Sequence, residues 1–103
     1  MKKTSIRSFN DKDVFATIEL LAEDKETGFS IECHTLMPGF KAQKHLHTDF
    51  EWVHVLKGEL RDEEGSYPQG TLKINAKDSV HTPYTQTGCT LLVFTRAKRI
   101  PVK

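Results

Sequence analysis

The sequence predicts an all-β domain, and three observations lead to that prediction. Short runs of β-branched and aromatic residues recur along the chain. Turn-forming residues separate these runs at intervals of about 8–12 positions, which gives about seven to ten short strands, as in a sandwich or barrel. No repeat, low-complexity tract or linker divides the 103 residues, so the strands belong to one structural unit.

Length and charge limit the classes of function. We expect a single domain over 1–103, with an N-terminal arm or edge strand at 1–13 and a core barrel at about 14–97. Lys plus Arg number 15 and Asp plus Glu 14, and a net charge of +1 gives no field that would attract nucleic acid or a membrane surface. No apolar run approaches the roughly 20 residues of a membrane span, and no signal sequence follows Met1. A cytoplasmic location is therefore expected.

The first half of the chain contains two predicted strands joined by a turn. The strands cover 15–21 and 29–37, the turn covers 23–28, and Pro38 and Gly39 end the second strand. The Ala, Leu, Glu and Lys content of 14–26 is also compatible with a short helix. A strand fits better, since Thr27 and Gly28 connect the segment directly to another β-branched run.

The second half contains five further predicted strands. They cover 43–47, 51–62, 70–75, 80–84 and 89–96, with a hairpin turn at 62–66. A break at Lys57 and Gly58 indicates a β-bulge or a sharp bend at a barrel corner. For the basic cluster at the end of the chain we expect a solvated tail; its members are Arg96, Lys98, Arg99 and Lys103.

The central observation for function is a His-x-His pair followed by a glutamate. His45 and His47 are two residues apart, so both side chains project from the same face of a strand. Glu51 continues this alternation, and Val53 and Val55 follow it. If that face is the barrel interior, two imidazoles and a carboxylate meet in an apolar cavity, where their burial is costly without compensation.

A divalent metal ion supplies this compensation. Neutral imidazole together with carboxylate suits Fe, Mn, Ni, Co or Zn. His81 lies on a later predicted strand, ahead of Thr82 and Pro83, and is the natural fourth ligand. Because a His-x-His pair alone is more often an exposed strand face than a ligand pair, the metal interpretation depends on Glu51 and His81 as well.

The spacing of these residues resembles the first motif of the cupins. That motif is Gly, five residues, His-x-His, three residues, Glu, six residues and Gly, and its positions are occupied by Gly39, His45, His47, Glu51 and Gly58. Gly70 opens the second motif, and His81 holds its histidine position. The second motif also departs from the family pattern: Ala76 stands where cupins commonly have proline, Asp78 where they have glycine and Thr85 where they have asparagine. Aspartate tolerates the left-handed geometry of a turn glycine, so the loop can persist.

More narrowly, the chain resembles the ChrR-type cupins, which are related to the sensor half of a zinc-dependent anti-sigma factor. The segments that carry this resemblance extend over roughly residues 15–96 and are Thr27-Gly28, Pro38-Gly39, 62–70, 79–83 and Gly88-Cys89.

The resemblance implies a cupin double-stranded β-helix, a jelly-roll barrel of about six to ten strands. It implies one divalent metal ion, Zn or Fe first and Ni, Mn or Co also compatible, with the ligands His45, His47, Glu51 and His81. It also implies a small-molecule ligand and a homodimer. The anti-sigma factor grips its sigma factor with an N-terminal zinc-binding domain, which we expect to be absent here, so sigma-factor binding is not expected.

Two functions are compatible with this ligand set. The first is a binding or sensing module, in which three His and one Glu form a closed, roughly tetrahedral Zn²⁺ site. The second is a mononuclear metal-dependent dioxygenase acting on a small enolisable substrate such as a diketone, since Fe²⁺ in an octahedral site keeps open positions. The chain is also similar to diketone-cleaving cupin dioxygenases, which use three histidines without the glutamate; Glu51 would then be a fourth ligand or a nearby base. Isomerase or lyase chemistry stays open, and no catalytic residue is assigned.

The remaining histidines and aromatic residues have weaker claims. His34 and His54 do not share the alternation of the ligand set, so we expect each to be a surface or satisfied core histidine. Phe40, Tyr67 and Tyr84 flank the motif loops and could line the cavity, although ordinary barrel packing explains them equally well.

Trp52 and the two cysteines have structural interpretations. Trp52 alternates away from Glu51, which favours a dimer or inter-sheet contact. Cys33 and Cys89 belong to no CxxC pair, and both are expected to be buried free thiols, with a disulfide geometrically possible.

Overall fold

A computed structural model describes residues 2–9, 13–96 and 98–102 of the chain. These residues form ten strands and no helix. The strands are β1 (Lys2–Arg7), β2 (Phe15–Glu23), β3 (Ser30–Leu36), β4 (His45–His47), β5 (Glu51–Asp62), β6 (Gly65–Pro68), β7 (Leu72–Asn75), β8 (Val80–His81), β9 (Cys89–Thr95) and β10 (Arg99–Pro101).

The strands form two antiparallel sheets. The larger sheet has seven strands in the order β1-β2-β3-β9-β5-β6, and β7 pairs with β5 as well. The smaller sheet has three short strands in the order β10-β4-β8. Neighbours such as β3 and β9 are far apart in the chain, and such crossed connections are typical of a jelly roll.

The core lies on the inner face of the larger sheet, where alternate residues point inward. In β9 every second residue is buried, and the first part of β5 shows the same alternation. This two-residue period explains why apolar and polar residues alternate in the sequence of both strands. The buried hydrophobic residues are Ala16, Leu36, Phe40, Val53, Val55, Leu60, Cys89, Leu91 and Val93.

The predicted break in the longest strand is a β-bulge. The register between β5 and β9 shifts between Val55 and Lys57, and Gly58 follows with a φ of 77°. A Cβ atom at Gly58 would collide with the carbonyl oxygen of Gly88 and lie 2.9 Å from the Cα atom of Cys89. Only glycine fits this close approach of two backbones.

Most predicted strands are present, and the helical alternative is wrong. Residues 15–23 form β2, and the N-terminal segment is its edge partner β1, with Lys2 opposite Leu20. The strand predicted at 51–62 has the observed bounds of β5. Among the others, the strand at 80–84 is shorter than expected, since β8 contains only Val80–His81.

The expectation of a solvated C-terminal tail is wrong for Arg99. Arg99 pairs in register with His47, so β10 extends the smaller sheet beyond residue 97. Its guanidinium group bonds the carboxylate of Glu51 inside the barrel. Arg96 and Lys98 are exposed as expected, and Lys103 lies outside the described residues.

The two cysteines are free and lie on different faces of the larger sheet. Cys89 is buried on the inner face, and burial raises the pKa of its thiol to about 11. Cys33 belongs to the alternate, outer row of β3 and is only half-buried, so the expectation that both thiols are buried is wrong for Cys33. A disulfide between them is excluded, because side chains on opposite faces of a sheet cannot meet.

Candidate metal centre

Two short strands of the smaller sheet bring three histidines together. His45 and His47 are the ends of β4, and His45 lies directly opposite His81 of β8. All three are buried, and His47 is 0% exposed. The ring centroids are 4.7–4.9 Å apart, and one nitrogen from each ring lies within 4.8 Å of the other two.

Hydrogen bonds at the Nδ1 atoms fix the tautomer of each ring. His45 Nδ1 donates to the carbonyl oxygen of Gln43 at 2.8 Å, because a carbonyl can only accept. His47 Nδ1 lies 3.1 Å from Ser79 Oγ, whose own hydrogen is donated to the carbonyl oxygen of Ala76, so Ser79 accepts from His47. His81 Nδ1 donates to the carboxylate of Asp62 at 3.1 Å. With all three Nδ1 atoms protonated, each Nε2 atom of a neutral ring carries a lone pair.

Two of these Nε2 lone pairs have no partner in the protein. The Nε2 atoms of His47 and His81 are buried and make no hydrogen bond. An unsatisfied buried polar atom costs about 1–3 kcal/mol, so two such atoms on neighbouring rings require an explanation. A cation among the three rings satisfies both atoms at once, and the residues therefore fit a divalent metal ion.

The protonation states of the histidines suit metal binding. Burial lowers the pKa of His45 to about 4, and it also lowers the pKa of His81. Both rings are consequently neutral near pH 7, which is the form that coordinates a metal.

Glu51 adds a buried carboxylate beside His47, although the group of ligand atoms within 4.8 Å of one another contains the three histidines and not Glu51. It is the first residue of β5 and 4% exposed, and its Oε1 atom lies 3.5 Å from His47 Nε2. Arg99 holds the other oxygen, Oε2, with Nη2 at 2.6 Å and Nε at 3.1 Å, while Asn75 donates to Oε1 at 3.1 Å. Burial by itself raises the pKa of Glu51, but the charge and the hydrogen bonds of Arg99 oppose it, and the pKa lies well below its usual value. Glu51 is therefore ionised, with Oε2 bound by Arg99 and Oε1 lying between Asn75 and His47.

Asp62 supports His81 from behind and was not found by sequence reasoning. The last residue of β5, Asp62 accepts from His81 Nδ1, from Tyr67 Oη at 2.8 Å and from Lys73 Nζ. Burial alone raises the pKa of Asp62, but these hydrogen bonds outweigh it and lower the pKa. An ionised carboxylate bonded to the outer nitrogen of a ligand histidine fixes the ring and increases its basicity.

A cavity adjoins the histidines and extends into the barrel. Its volume is about 90 Å³. Its polar lining includes His45, His81, Glu51, His34 and Arg99. Most of the remaining wall is apolar and includes Leu36, Phe40, Val53, Leu60, Leu91 and Val93.

Of the three residues predicted to line the pocket, one lies in the cavity wall and two lie elsewhere. Phe40 is buried and lines the cavity. Tyr67 packs against the core and bonds Asp62, and Tyr84 bridges to Lys41 and Arg61; the cavity wall described above includes neither tyrosine.

Of the two histidines outside the proposed ligand set, one lies inside the barrel and the other on the outer face of the larger sheet. His34 is a buried histidine whose ring is bonded to Glu32, which agrees with the expectation of a satisfied core histidine. It also lines the cavity. His54 alternates with the buried Val53 and Val55 of β5, is half-buried, and pairs with Leu72 at the outer strand β7. The sequence of β3 contained a signal for this position: Leu36, two residues after His34, is apolar, and alternate residues of a strand share a face. The structure shows that both side chains are buried.

Two departures from the cupin pattern have a structural explanation. Asp78 has a φ of 68°, so an aspartate takes the left-handed conformation that a turn glycine would supply. Thr85 is buried, donates to the carbonyl oxygen of Glu59 at 2.7 Å and accepts from the backbone N–H of Gly88 at 3.0 Å. The loop that carries His81 is thus maintained by different side chains.

The family follows from the sequence of almost the whole chain. Residues 8–99 match the model of the ChrR cupin-like domain. The chain belongs to this family. A comparison with curated proteins finds no similar sequence. None of the described segments of this cupin is a helix of the length and hydropathy that crossing a bilayer requires.

Solved structures share the cupin fold at low sequence identity. An RmlC-like cupin of Ralstonia eutropha JMP134 has a TM-score of 0.77 at 17% identity, over 85% of this chain and 60% of that one. The anti-sigma factor ChrR of Rhodobacter sphaeroides, solved in complex with SigE, has a TM-score of 0.70 at 24% identity, over 78% of this chain and 44% of that one. An acetylacetone dioxygenase of Acinetobacter johnsonii has a TM-score of 0.72 at 14% identity, over 77% of this chain and 58% of that one. The cupin thus spans 44–60% of the length of these three structures.

Proposed function

We propose that the chain forms one cupin domain that holds a divalent metal ion with His45, His47, His81 and Glu51 and binds a small molecule in the adjoining cavity. The observation that supports this proposal best is the set of three imidazoles whose Nδ1 atoms are all bonded outward. The Nε2 atom of His47 lies beside the ionised carboxylate of Glu51, and the Nε2 atoms of His47 and His81 are buried without a partner. Three neighbouring imidazoles with a carboxylate beside one of them are a donor set that suits a divalent metal ion.

Glu51 would coordinate through a single oxygen. Arg99 occupies Oε2 with two hydrogen bonds, whereas Oε1 faces His47 and is held only by Asn75. Monodentate ligation by Oε1 leaves the arginine contact intact, so metal binding and the Glu51–Arg99 pair are compatible.

The cavity favours binding of a ligand over a purely structural metal. A structural zinc site is closed on all sides, whereas a site that acts on a ligand keeps an open position. Here His45, His81 and Glu51 all line a cavity of about 90 Å³ with apolar walls. A small molecule in this cavity would lie next to the metal and be shielded from bulk water by the apolar wall, so the binding or sensing module proposed here keeps an open position and differs from the closed tetrahedral site.

A second candidate is a metal-dependent dioxygenase for a small enolisable substrate such as a diketone. It is supported by the same apolar wall, which excludes water, and by the fold shared with an acetylacetone dioxygenase. When bound, Fe²⁺ would supply Lewis acidity and electron transfer to oxygen. Glu51 and the three histidines would hold it, and Leu91 and Val93 would shield the substrate.

Elemental analysis of protein purified without added metal or chelator tests the metal site. We expect one equivalent of metal in the wild type and loss of most of it in His45→Ala and in His81→Ala, with a lower melting temperature. His34→Ala and His54→Ala are the matched controls, because both remove an imidazole but neither removes a proposed ligand. Full occupancy in both ligand variants, or a halved stoichiometry in either control, would overturn the assignment.

The identity of the metal separates the two candidates. Iron or manganese would favour the dioxygenase and justify an oxygen-electrode screen with diketones and catechols. Zinc that resists dialysis would favour the binding or sensing module.

We also propose that the protein is a homodimer. The outer face of the larger sheet carries a row of exposed apolar side chains, in which Trp52 (44% exposed) lies opposite Ile74 (57%) and Leu72 (61%) precedes it on β7. Phe94 flanks Trp52 on the other side, with ring centroids 6.2 Å apart. Contiguous apolar surface of this kind marks interaction sites. Light scattering should give twice the chain mass for the wild type and the monomer mass for Ile74→Lys; a monomeric wild type would refute the dimer.

A further inference from the structure

His34 lies in the metal-adjacent cavity but has no role in the proposed metal site. It belongs to the inward row of β3, opposite Leu91 of β9, and is buried. His34 lines the same cavity as His45, His81 and Glu51, together with apolar residues such as Leu36. A buried imidazole on the wall of an apolar cavity is positioned to contact whatever occupies it.

One ring nitrogen of His34 is engaged and the other is available. Nε2 lies 2.9 Å from Glu32 Oε1. The hydrogen bond from His34 lowers the pKa of Glu32, so this carboxylate accepts and Nε2 donates. No described residue hydrogen-bonds to His34 Nδ1. This atom is also not among the fully buried side-chain atoms without a partner, so part of its surface is accessible. Water or a ligand can therefore reach Nδ1.

Ion pairs through Arg99 connect Glu32, the partner of His34, to the proposed metal ligand Glu51. Arg99 Nη2 lies 3.5 Å from Glu32 Oε1 and 2.6 Å from Glu51 Oε2. Glu32 holds His34, while Glu51 lies beside His47. The same arginine thus fixes the side chains at both polar points of the cavity, so their separation is set by the fold.

We infer that His34 is a second recognition point, so that the cavity selects a short ligand with an oxygen donor for the metal at one end and a neutral hydrogen-bonding group for His34 Nδ1 at the other. This inference rests on the proposed metal site and names the class of ligand that would bind there. A hydroxyl group suits Nδ1 in either protonation state of the ring, because it both donates and accepts. A second carboxylate suits it less, since Glu32 lies next to His34.

The cavity volume limits the length of such a ligand. At about 10–15 Å³ for each water-sized group, 90 Å³ holds about six to nine such groups. The apolar wall favours methylene groups between the two polar ends. A linear ω-hydroxy acid with about eight non-hydrogen atoms meets all three conditions.

Calorimetric titration of the zinc-loaded protein tests the inference with matched probes. The first pair is 5-hydroxypentanoate and hexanoate, in which a hydroxyl replaces a methyl group at equal length; pairs one carbon shorter and one carbon longer follow. We expect the hydroxy acid to bind about three- to tenfold more tightly at one chain length, the effect of one hydrogen bond. His34→Phe, which keeps a ring but no nitrogen, should abolish this preference and leave hexanoate affinity unchanged, whereas His54→Phe should change neither.

The outcomes distinguish this inference from the proposed function. Equal affinity for both acids at every length, or a preference that persists in His34→Phe, would overturn the role of His34 while the metal site stands. Failure of both acids to bind zinc-loaded protein would also overturn it. Failure of the wild type to retain zinc would refute the metal site itself. If His34→Phe does not fold, His34→Met replaces it, because its flexible side chain fills irregular space and offers no ring nitrogen.

Discussion

Replacing Asp62 with asparagine tests how strongly the structure depends on the carboxylate behind His81. Asp62 has a side chain that is 1% exposed and receives hydrogen bonds from His81, Tyr67 and Lys73, together with one from the backbone N–H of Glu64 at 2.9 Å. Asparagine keeps the shape and one acceptor oxygen. It removes the charge that Lys73, itself 14% exposed, requires.

The expected loss of stability follows from these contacts. Breaking a buried ion pair by removing one partner costs about 3–5 kcal/mol, because the remaining charge stays buried and uncompensated. For a domain of about 100 residues, 1 kcal/mol lowers the melting temperature by about 4–8 °C. Asp62→Asn should therefore lower the melting temperature of the metal-free protein by about 12 °C or more. Its zinc affinity should fall about 10–100-fold, since His81 loses the partner that fixes its ring.

The effect should depend on pH in one direction. The pKa of Asp62 is lower in the folded protein than in the unfolded chain, where it is about 3.9. The carboxylate then stabilises the fold fully above about pH 4 and loses this contribution as the pH falls further. The difference in unfolding free energy between wild type and Asp62→Asn should be constant near neutral pH and shrink in acid.

Urea unfolding of metal-free protein measures these differences, and Asp49→Asn is the matched control. Asp49 pairs with Arg96, whose side chain is 48% exposed, so its loss should have a much smaller effect. The double variant Asp62→Asn, Lys73→Met should be more stable than Asp62→Asn alone, since no unpaired lysine remains. Equal losses for Asp62→Asn and Asp49→Asn would refute the reasoning.

Two further variants test the bulge and the buried arginine. Gly58→Ala should destabilise the protein by about 2–5 kcal/mol in urea unfolding, because the strain of the left-handed conformation adds to a collision with the Gly88 backbone. Gly70→Ala is the control: its φ is similar but the space around it is open, so it should cost only about 1–2 kcal/mol. Equal costs would show that the backbones at Gly58 separate easily. Arg99→Met should destabilise the metal-free protein by about 3–5 kcal/mol, because Glu51 stays buried without its cation, and Zn²⁺ should restore part of the loss. If paired unfolding curves gave Arg99→Met the same loss of stability with and without Zn²⁺, the idea that Arg99 and the metal both compensate the charge of Glu51 would be contradicted.

The strand pattern and part of the candidate site could be predicted from the sequence because they depend on local rules. In a strand, alternate side chains share a face, so the spacing of His45 and His47 predicted their common direction without any knowledge of the fold. The end of β5 was predicted by another local signal, the hairpin turn at 62–66. Glycine at a bulge is also a local requirement, since only the absence of a Cβ atom allows the backbone of Gly58 to approach Gly88.

The rest of the site was decided by tertiary structure. Arg99 is 48 residues from Glu51, and Asp62 is 19 residues from His81. No local pattern relates such positions, because their meeting depends on how the smaller sheet closes over the larger one. Arg99 reads as a tail residue in the sequence, and only the pairing of β10 with β4 turns its side chain toward Glu51. The sequence by itself determined the class of fold and the residues that could bind a metal. The tertiary structure determined which charges support them, because a buried carboxylate acquires its partner only when distant strands are packed together.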